Sequence, residues 1–308
     1  MNLGCNNIIH PLFELTPYEA FQDNFWVPKG ASKKTSNSKI LIPRPYRILR
    51  DIRKISTCIH HNAAIDNNAV LWEWGADSMA QMDGVYSNDF PQNVQRLPQR
   101  SMENVLNVCC GGWHTLCITK DKKLWSWGNN EYGQLGLGDY LRRDHPTFIM
   151  DGVDFIFASE FQSFAIREDH TLWGWGNNES KMLLEESECC CTPKILMDNV
   201  DKISCGSHVI AAVRQDGTLW AWGTNTNNII FTKPQHHFCP PLLLMTGVID
   251  ISFPASENSE YGLVIAENGD LYCLGNLTYQ SQRTIKLSKE QKNMPLKLMN
   301  NIFSAYAG

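Results

Sequence analysis

Two histidines and a knot of cysteines are the residues whose types could do chemistry in this chain. His61 and His114 stand at one place of a recurring pattern, each opening an apolar run. An imidazole in such a place could act as a general acid–base or as a metal ligand. Gln162, Val209 and Tyr261 fill the same place further along, however, and a catalytic base does not recur on separate units. The expected role is a structural hydrogen bond to a neighbouring backbone group. Cys191 and Cys239 each lie two residues before a proline, with Cys189, Cys190, His236 and His237 close in sequence. Thiolate and imidazole suit zinc, but no Cys-x-x-Cys spacing is present and ordinary loop residues are expected. The acidic run Glu185-Glu186-Ser187-Glu188 reads as a solvated loop. With no nucleophile elbow and no paired carboxylates, the sequence nominates no catalytic residue, no cofactor and no metal ligand.

The elements that carry these residues are repeats. Leu-Trp-x-Trp-Gly occurs at Leu71–Gly75, Leu124–Gly128, Leu172–Gly176 and Leu219–Gly223, with a weaker copy at Leu271–Gly275. Asn68, Asp121, Asp169, Asp216 and Asn268 precede these strings at a constant offset, and are spaced 53, 48, 47 and 52 residues apart. A second anchor agrees: Pro45, Pro98, Pro146, Pro193, Pro241 and Pro295 each lead to a β-branched residue seven positions on. Two registers in agreement establish a repeat architecture.

Each unit reads as strands. Asp216-Gly217 and Asn268-Gly269 are preferred centres of two-residue hairpins, where both positions take positive φ. Leu116 and Ile118, Phe164 and Ile166, and Ala211 and Val213 alternate before the turn; the tryptophans alternate after it. The Pro-led segment supplies a further strand with proline as its first residue. Three to four strands in about fifty residues fit a propeller blade. Eight of the ten tryptophans fall in the repeated string, and each can bury roughly 150–250 Å², so they are assigned to the core between neighbouring sheets.

Composition narrows the function. The net charge of −5 over 308 residues argues against phosphate-dominated nucleic-acid binding. No stretch has the length and apolarity of a membrane-spanning helix, and the first ten residues, MNLGCNNIIH, do not resemble a secretory leader. Eleven cysteines, an odd number and mostly inside apolar runs, read as free thiols of a reducing compartment, so a cytoplasmic location is expected.

The string DGTLWAWG, with CGGWHTLCITKDKKLWSWGNNEYGQLGLGD at residues 110–139, closely resembles the regulator-of-chromosome-condensation repeat. The resemblance covers residues 45–308, and His61 and His114 are similar to its Gly-x-x-His element. It implies an all-β propeller that closes by completing its last blade with strands from both chain ends. Units are expected at 45–97, 98–145, 146–192, 193–240 and 241–294, with a partial sixth at 295–308. Known members have seven blades, so three arrangements stay open: a truncated chain, a ring sealed by residues 1–44, or completion by another chain. Asn24-Phe-Trp-Val27 resembles a degenerate strand. The loop Gly133-Gln-Leu-Gly-Leu-Gly138 follows a strand end and opens no helix, so it is a family loop and not a phosphate cradle.

The function expected from this reading is a non-enzymatic protein-binding scaffold presenting propeller loops to a partner. The resemblance implies two alternatives, guanine-nucleotide exchange on a small GTPase and a proteinaceous enzyme inhibitor. No nucleic-acid and no membrane partner is expected.

Overall fold

The computed structural model describes residues 47–76, 95–206, 208–224, 238–253, 261–275 and 296–299. Residues 1–44, Pro45, Pro295, Gly308, His236 and His237 lie outside them. Among the described residues every regular element is a strand.

The strands form five antiparallel four-stranded sheets in chain order. The first holds β1 (Ile52–Thr57), β2 (His61–Asp66), β3 (Leu71–Ala76) and β4 (Gln95–Met102). The second holds β5 (Val105–Cys110), β6 (His114–Thr119), β7 (Leu124–Gly128) and β8 (Arg143–Met150). The third holds β9 (Val153–Ala158), β10 (Gln162–Arg167), β11 (Leu172–Asn177) and β12 (Cys189–Met197). The fourth holds β13 (Val200–Cys205), β14 (Val209–Arg214), β15 (Leu219–Thr224) and β16 (Phe238–Met245). The fifth holds β17 (Val248–Ser252), β18 (Tyr261–Ala266), β19 (Leu271–Gly275) and β20 (Leu296–Met299). The segments led by Pro98, Pro146, Pro193 and Pro241 are thus each the fourth strand of one sheet, and the β-branched residue of each opens the next.

First strands of successive sheets pack together, β1 on β5, β5 on β9 and β13 on β17. Sheets arranged this way fan around an axis with their first strands innermost, which is propeller geometry. Every residue of β6 is buried, whereas β8 has no fully buried residue. The alternation read before each turn is therefore not an inside–outside pattern. Leu116 and Ile118 pack toward the third sheet and Cys117 toward the first, so both faces of the strand are covered.

The tryptophans divide by position. Trp127, Trp175 and Trp222, the second of each pair, are fully buried against the preceding sheet. Trp125, Trp173 and Trp220 are half-buried beside them. Trp173 and Trp220 donate their indole N–H to Thr171 and Thr218 at 2.8 and 3.0 Å. The assignment of all eight to the core is corrected accordingly: Trp127, Trp175 and Trp222 are core, their outer partners straddle its edge, and in the first sheet both Trp72 and Trp74 are half-buried.

Two local expectations change. In the turn after β14, Gly217 N–H donates to Arg214 O at 2.9 Å and Arg214 N–H to Thr218 O at 2.9 Å. Only Gly217 of the Asp-Gly pair has positive φ, +73°. This is a type I turn followed by a left-handed residue, not a two-residue hairpin. The Asp216 carboxylate fixes it by accepting the Thr218 N–H and hydroxyl. The prolines, second, sit within the fourth strands and not at their starts: Pro98, Pro146, Pro193 and Pro241 fall at register shifts opposite the string's second tryptophan, one place before its closing glycine. A bulge on an outermost strand has no ladder hydrogen bond for a missing N–H to break.

The two ends of the sheets are built differently. At the hairpin face, where the β2–β3 type turns lie, one backbone link recurs. Val105, Val153, Val200 and Val248 donate N–H to the carbonyls of Ala69, Lys122, His170 and Gly217 at 2.8–3.0 Å. The opposite face carries the β1–β2 type turns and the long connections into the fourth strands.

Candidate functional site on the loop face

At the loop face of the first four sheets the residue just before the second strand is aromatic or a histidine: His60, Trp113, Phe161 and His208. The backbone reason is common to three of them. The carbonyls of Trp113, Phe161 and His208 accept the N–H of Asn129, Asn177 and Thr224 at 2.8–2.9 Å, fixing where each long connection leaves its sheet. Gly176 shows why the string ends in glycine. Its φ is +103°, and a Cβ there would lie 2.4 Å from Phe161 O. With the main chain engaged, the side chains are turned to the rim. His60 stacks on Trp113 with centroids 3.4 Å apart. Tyr132 tilts against Phe161 at 4.8 Å, and Ser180 Oγ lies 2.8 Å from His208 Nδ1. Tyr132 and Ser180 occupy matching places in connections 129–142 and 177–188, so each rim residue is wedged by the preceding sheet's loop.

Those two connections share one backbone. Asn130 accepts Leu135 N–H at 2.9 Å and donates to Asp139 O and Leu141 O. Asn178 accepts Leu183 N–H at 2.8 Å and donates to Glu185 O and Ser187 O. Gln134 O receives the Trp175 indole N–H at 2.9 Å, and Met182 O receives that of Trp222 at 2.8 Å. Gly133 and Gly136 take positive φ of +77° and +72°; Lys181 and Leu184 take +56° and +58° at the same places. A Cβ on Gly136 would lie 2.8 Å from the Trp175 indole nitrogen. The glycine-rich loop is thus a packing element seated on the next sheet's tryptophan.

His61 and His114 sit one residue inside the rim, fully buried. His61 Nε2 lies 2.9 Å from Thr115 Oγ1 and His114 Nε2 lies 2.8 Å from Ser163 Oγ. Thr115 donates onward to Glu73 Oε1 at 3.3 Å, and Ser163 to Gln134 O at 2.7 Å. The role is structural, as expected, but the partner is corrected: each imidazole reaches a hydroxyl on the next sheet, not a backbone group. Adjacent sheets place the residue after one histidine directly beyond the ring of the other, a juxtaposition that sequence spacing does not express. Burial lowers both imidazoles to about 3 and keeps them neutral. Cys58 Sγ lies 3.1 Å from His61 Nδ1, and burial pushes that thiol up. The pair is therefore a neutral thiol–imidazole contact and not an ion pair armed for nucleophilic attack.

Family models match this chain as the "Regulator of chromosome condensation (RCC1) repeat" over residues 105–134, 200–229 and 121–166. The ultraviolet-B receptor UVR8 of Arabidopsis thaliana is 34% identical over 113 residues, covering 35% of this chain and 25% of the receptor. Human protein RCC2 is 30% identical over 120 residues, covering 37% of this chain and 22% of RCC2. The fold is similar to that of human WBSCR16, with TM-score 0.64, 20% identity, and coverage of 80% of this chain and 67% of that one. It is similar also to yeast RCC1 (Prp20) bound to Kap60, with TM-score 0.66, 15% identity, and coverage of 83% and 66%. The chain carries RCC1 repeats over residues 105–166 and 200–229. Its alignments span about a quarter or less of the length of the first-ranked curated relatives.

Within the RCC1 repeats the cysteines find separate settings. Cys190, not Cys191, holds the register place of Cys239: Cys190 pairs with Gly176 and Cys239 with Gly223. The bulge of β12 carries one more residue before its proline, which shifts the alignment by one. Cys190 is buried, while Cys189 lies 3.4 Å from the Tyr140 hydroxyl. Among the described residues no group of three or more His, Cys, Asp or Glu side chains converges as a metal site.

Proposed function

We propose that this chain is a non-enzymatic protein-binding scaffold of the cytoplasm, and that its loop face is the binding surface. One observation carries the reading. Connections 129–142 and 177–188 keep the same hydrogen bonds while exposed residues at matching places differ, Tyr140 and Leu141 in one against Glu186 and Ser187 in the other. A rigid backbone with interchangeable side chains is how a scaffold positions specific contacts. Ile59, 87% exposed at the tip of the first turn, adds an apolar contact at the edge of this surface.

Site-directed photo-crosslinking tests it, with the photoreactive group at Ile59 on the loop face or at His170 on the hairpin face. A discrete protein adduct from Ile59 and none from His170 is the expected result. Protein adducts at neither position would end the scaffold reading, and adducts at His170 alone would move it to the other face. A nucleotide-release assay on small GTPases, with unchanged release rates, separates plain binding from exchange activity.

A further inference from the structure

Three cysteines in a row, Cys189-Cys190-Cys191, open β12, and the strand sorts them because successive side chains point to opposite faces. Cys190 turns inward and is buried in the core shared by the third and fourth sheets. Cys189 and Cys191 turn the other way and are half-buried. Connection 129–142 of the second sheet closes over them. Gly138 N–H donates to Cys191 O at 2.8 Å, and a Cβ on Gly133 would lie 2.5 Å from Cys191 Cα. Asp139 accepts the Leu141 N–H at 2.9 Å and the Arg143 guanidinium at 2.7 Å, which fixes the backbone on both sides of Tyr140. The Tyr140 hydroxyl lies 3.4 Å from Cys189 Sγ and hydrogen-bonds the Cys191 thiol as well. Two sulfurs on one side of a strand thus share a single oxygen from the neighbouring sheet. Burial pushes the remaining described thiols up, Cys109 to about 11 and Cys273 to about 12, which disfavours the thiolate a metal requires.

We propose that Cys189 and Cys191 together bind one Cu(I) ion, with the Tyr140 hydroxyl donating a hydrogen bond to a ligating sulfur. The site stands apart from the scaffold reading and does not depend on it. Two residues of a strand advance roughly 6–7 Å, a span that two side chains rotated toward each other close around one ion. A pair of thiolates falls short of the four ligands of a structural zinc. Soft thiolate selects Cu(I), whose filled d shell accepts two sulfurs in line. The hydroxyl then serves as the outer partner that orients a ligand. Binding displaces the thiol protons into solvent, so it tightens as pH rises.

Competition against the Cu(I) chelator bathocuproine disulfonate tests the proposal on the full chain, reduced and kept free of oxygen. The wild type is expected to withdraw copper from the coloured chelate, and native mass spectrometry to show one bound copper per chain. Cys189→Ser and Cys191→Ser each weaken that site at least about tenfold, since losing a ligand costs no less than losing an outer partner. Cys239→Ser in the fourth sheet leaves it unchanged. Serine keeps the size of a half-buried cysteine, so these variants report on ligation, and an unchanged urea midpoint verifies that the fold is intact. Failure of the wild type to withdraw copper, or wild-type affinity in either Cys189→Ser or Cys191→Ser, overturns the proposal. An equal loss in Cys239→Ser also overturns it, because copper would then be spread over the thiols at large.

Discussion

The hairpin face and the loop face are made from the same five sheets by different means. At the hairpin face the links between sheets are main-chain hydrogen bonds, from Val105, Val153, Val200 and Val248, that hold whatever the turn residues are: Ala69, Lys122, His170 or Gly217. At the loop face main-chain bonds from Gly112 and Gly138 to the third sheet are joined by side-chain links, indole to carbonyl and imidazole to hydroxyl. Backbone links tolerate sequence drift, so the hairpin face can vary freely without gaining or losing structure. Side-chain links confine variation to the residues between them, and those residues form the rim. The difference places shape-holding in the buried half of each connection and recognition in its exposed half.

The comparison can be broken most severely at the seat of a connection. Trp175→Ala removes a fully buried ring and its bond to Gln134 O, and is expected to cost about 3–5 kcal/mol. Trp173→Ala, half-buried in the same string, costs less than half as much by urea unfolding. Equal losses would mean that the inner ring has no special place.

Acid attacks the same side. His61 and His114 are held neutral at about 3, below the ordinary histidine value near 6.5, so the unfolded chain binds more protons between those limits. Their contribution is complete above pH 6.5 and is lost as pH falls toward 3. Between pH 6.5 and 5.5 the loss is about 1 kcal/mol per histidine. His114→Gln, which installs the residue found at this place in the third sheet, halves that slope in urea titrations across the pH range. An unchanged slope would show that neither ring is buried neutral.

A third change separates strain from crowding within one loop. Gly136→Ala adds a methyl group against the Trp175 ring at φ +72° and costs about 2 kcal/mol or more. Gly138→Ala, at φ +82° but 3.8 Å from its nearest neighbour, costs about 1 kcal/mol in the same unfolding assay.

The smallest expected effect has the opposite sign and belongs to the hairpin face. His170 holds φ +61° where Gly217 sits in the next sheet. His170→Gly relieves that conformation while Val200 keeps its bond to the carbonyl of residue 170. Stability should rise by up to about 1 kcal/mol in thermal melts. A loss would place the histidine side chain in the link.

Much of this was legible in the chain. The two periodic anchors located the second, third and fourth strands of the described sheets, because a sheet edge, a buried indole and a left-handed turn each demand particular residue types at fixed spacing; the first strand of each sheet was not read. His61 and His114 were recognisable as structural from their recurrence alone. What sequence did not disclose was the likeness of connections 129–142 and 177–188. Glycine marks a left-handed position only where a side chain is absent, and Lys181 and Leu184 adopt it under constraint from Asn178 and the Trp222 bond. The doubled asparagine, Asn129-Asn130 and Asn177-Asn178, was the available signal.

The sequence by itself determined the period and the all-β class. Those properties depend on residue type and spacing along one strand. The stacking of His60 on Trp113 and the reach of His61 and His114 to the following sheet were decided only in three dimensions. Each joins residues from different sheets, and their approach is set by how far one sheet is rotated from the next, a quantity that no single repeat encodes.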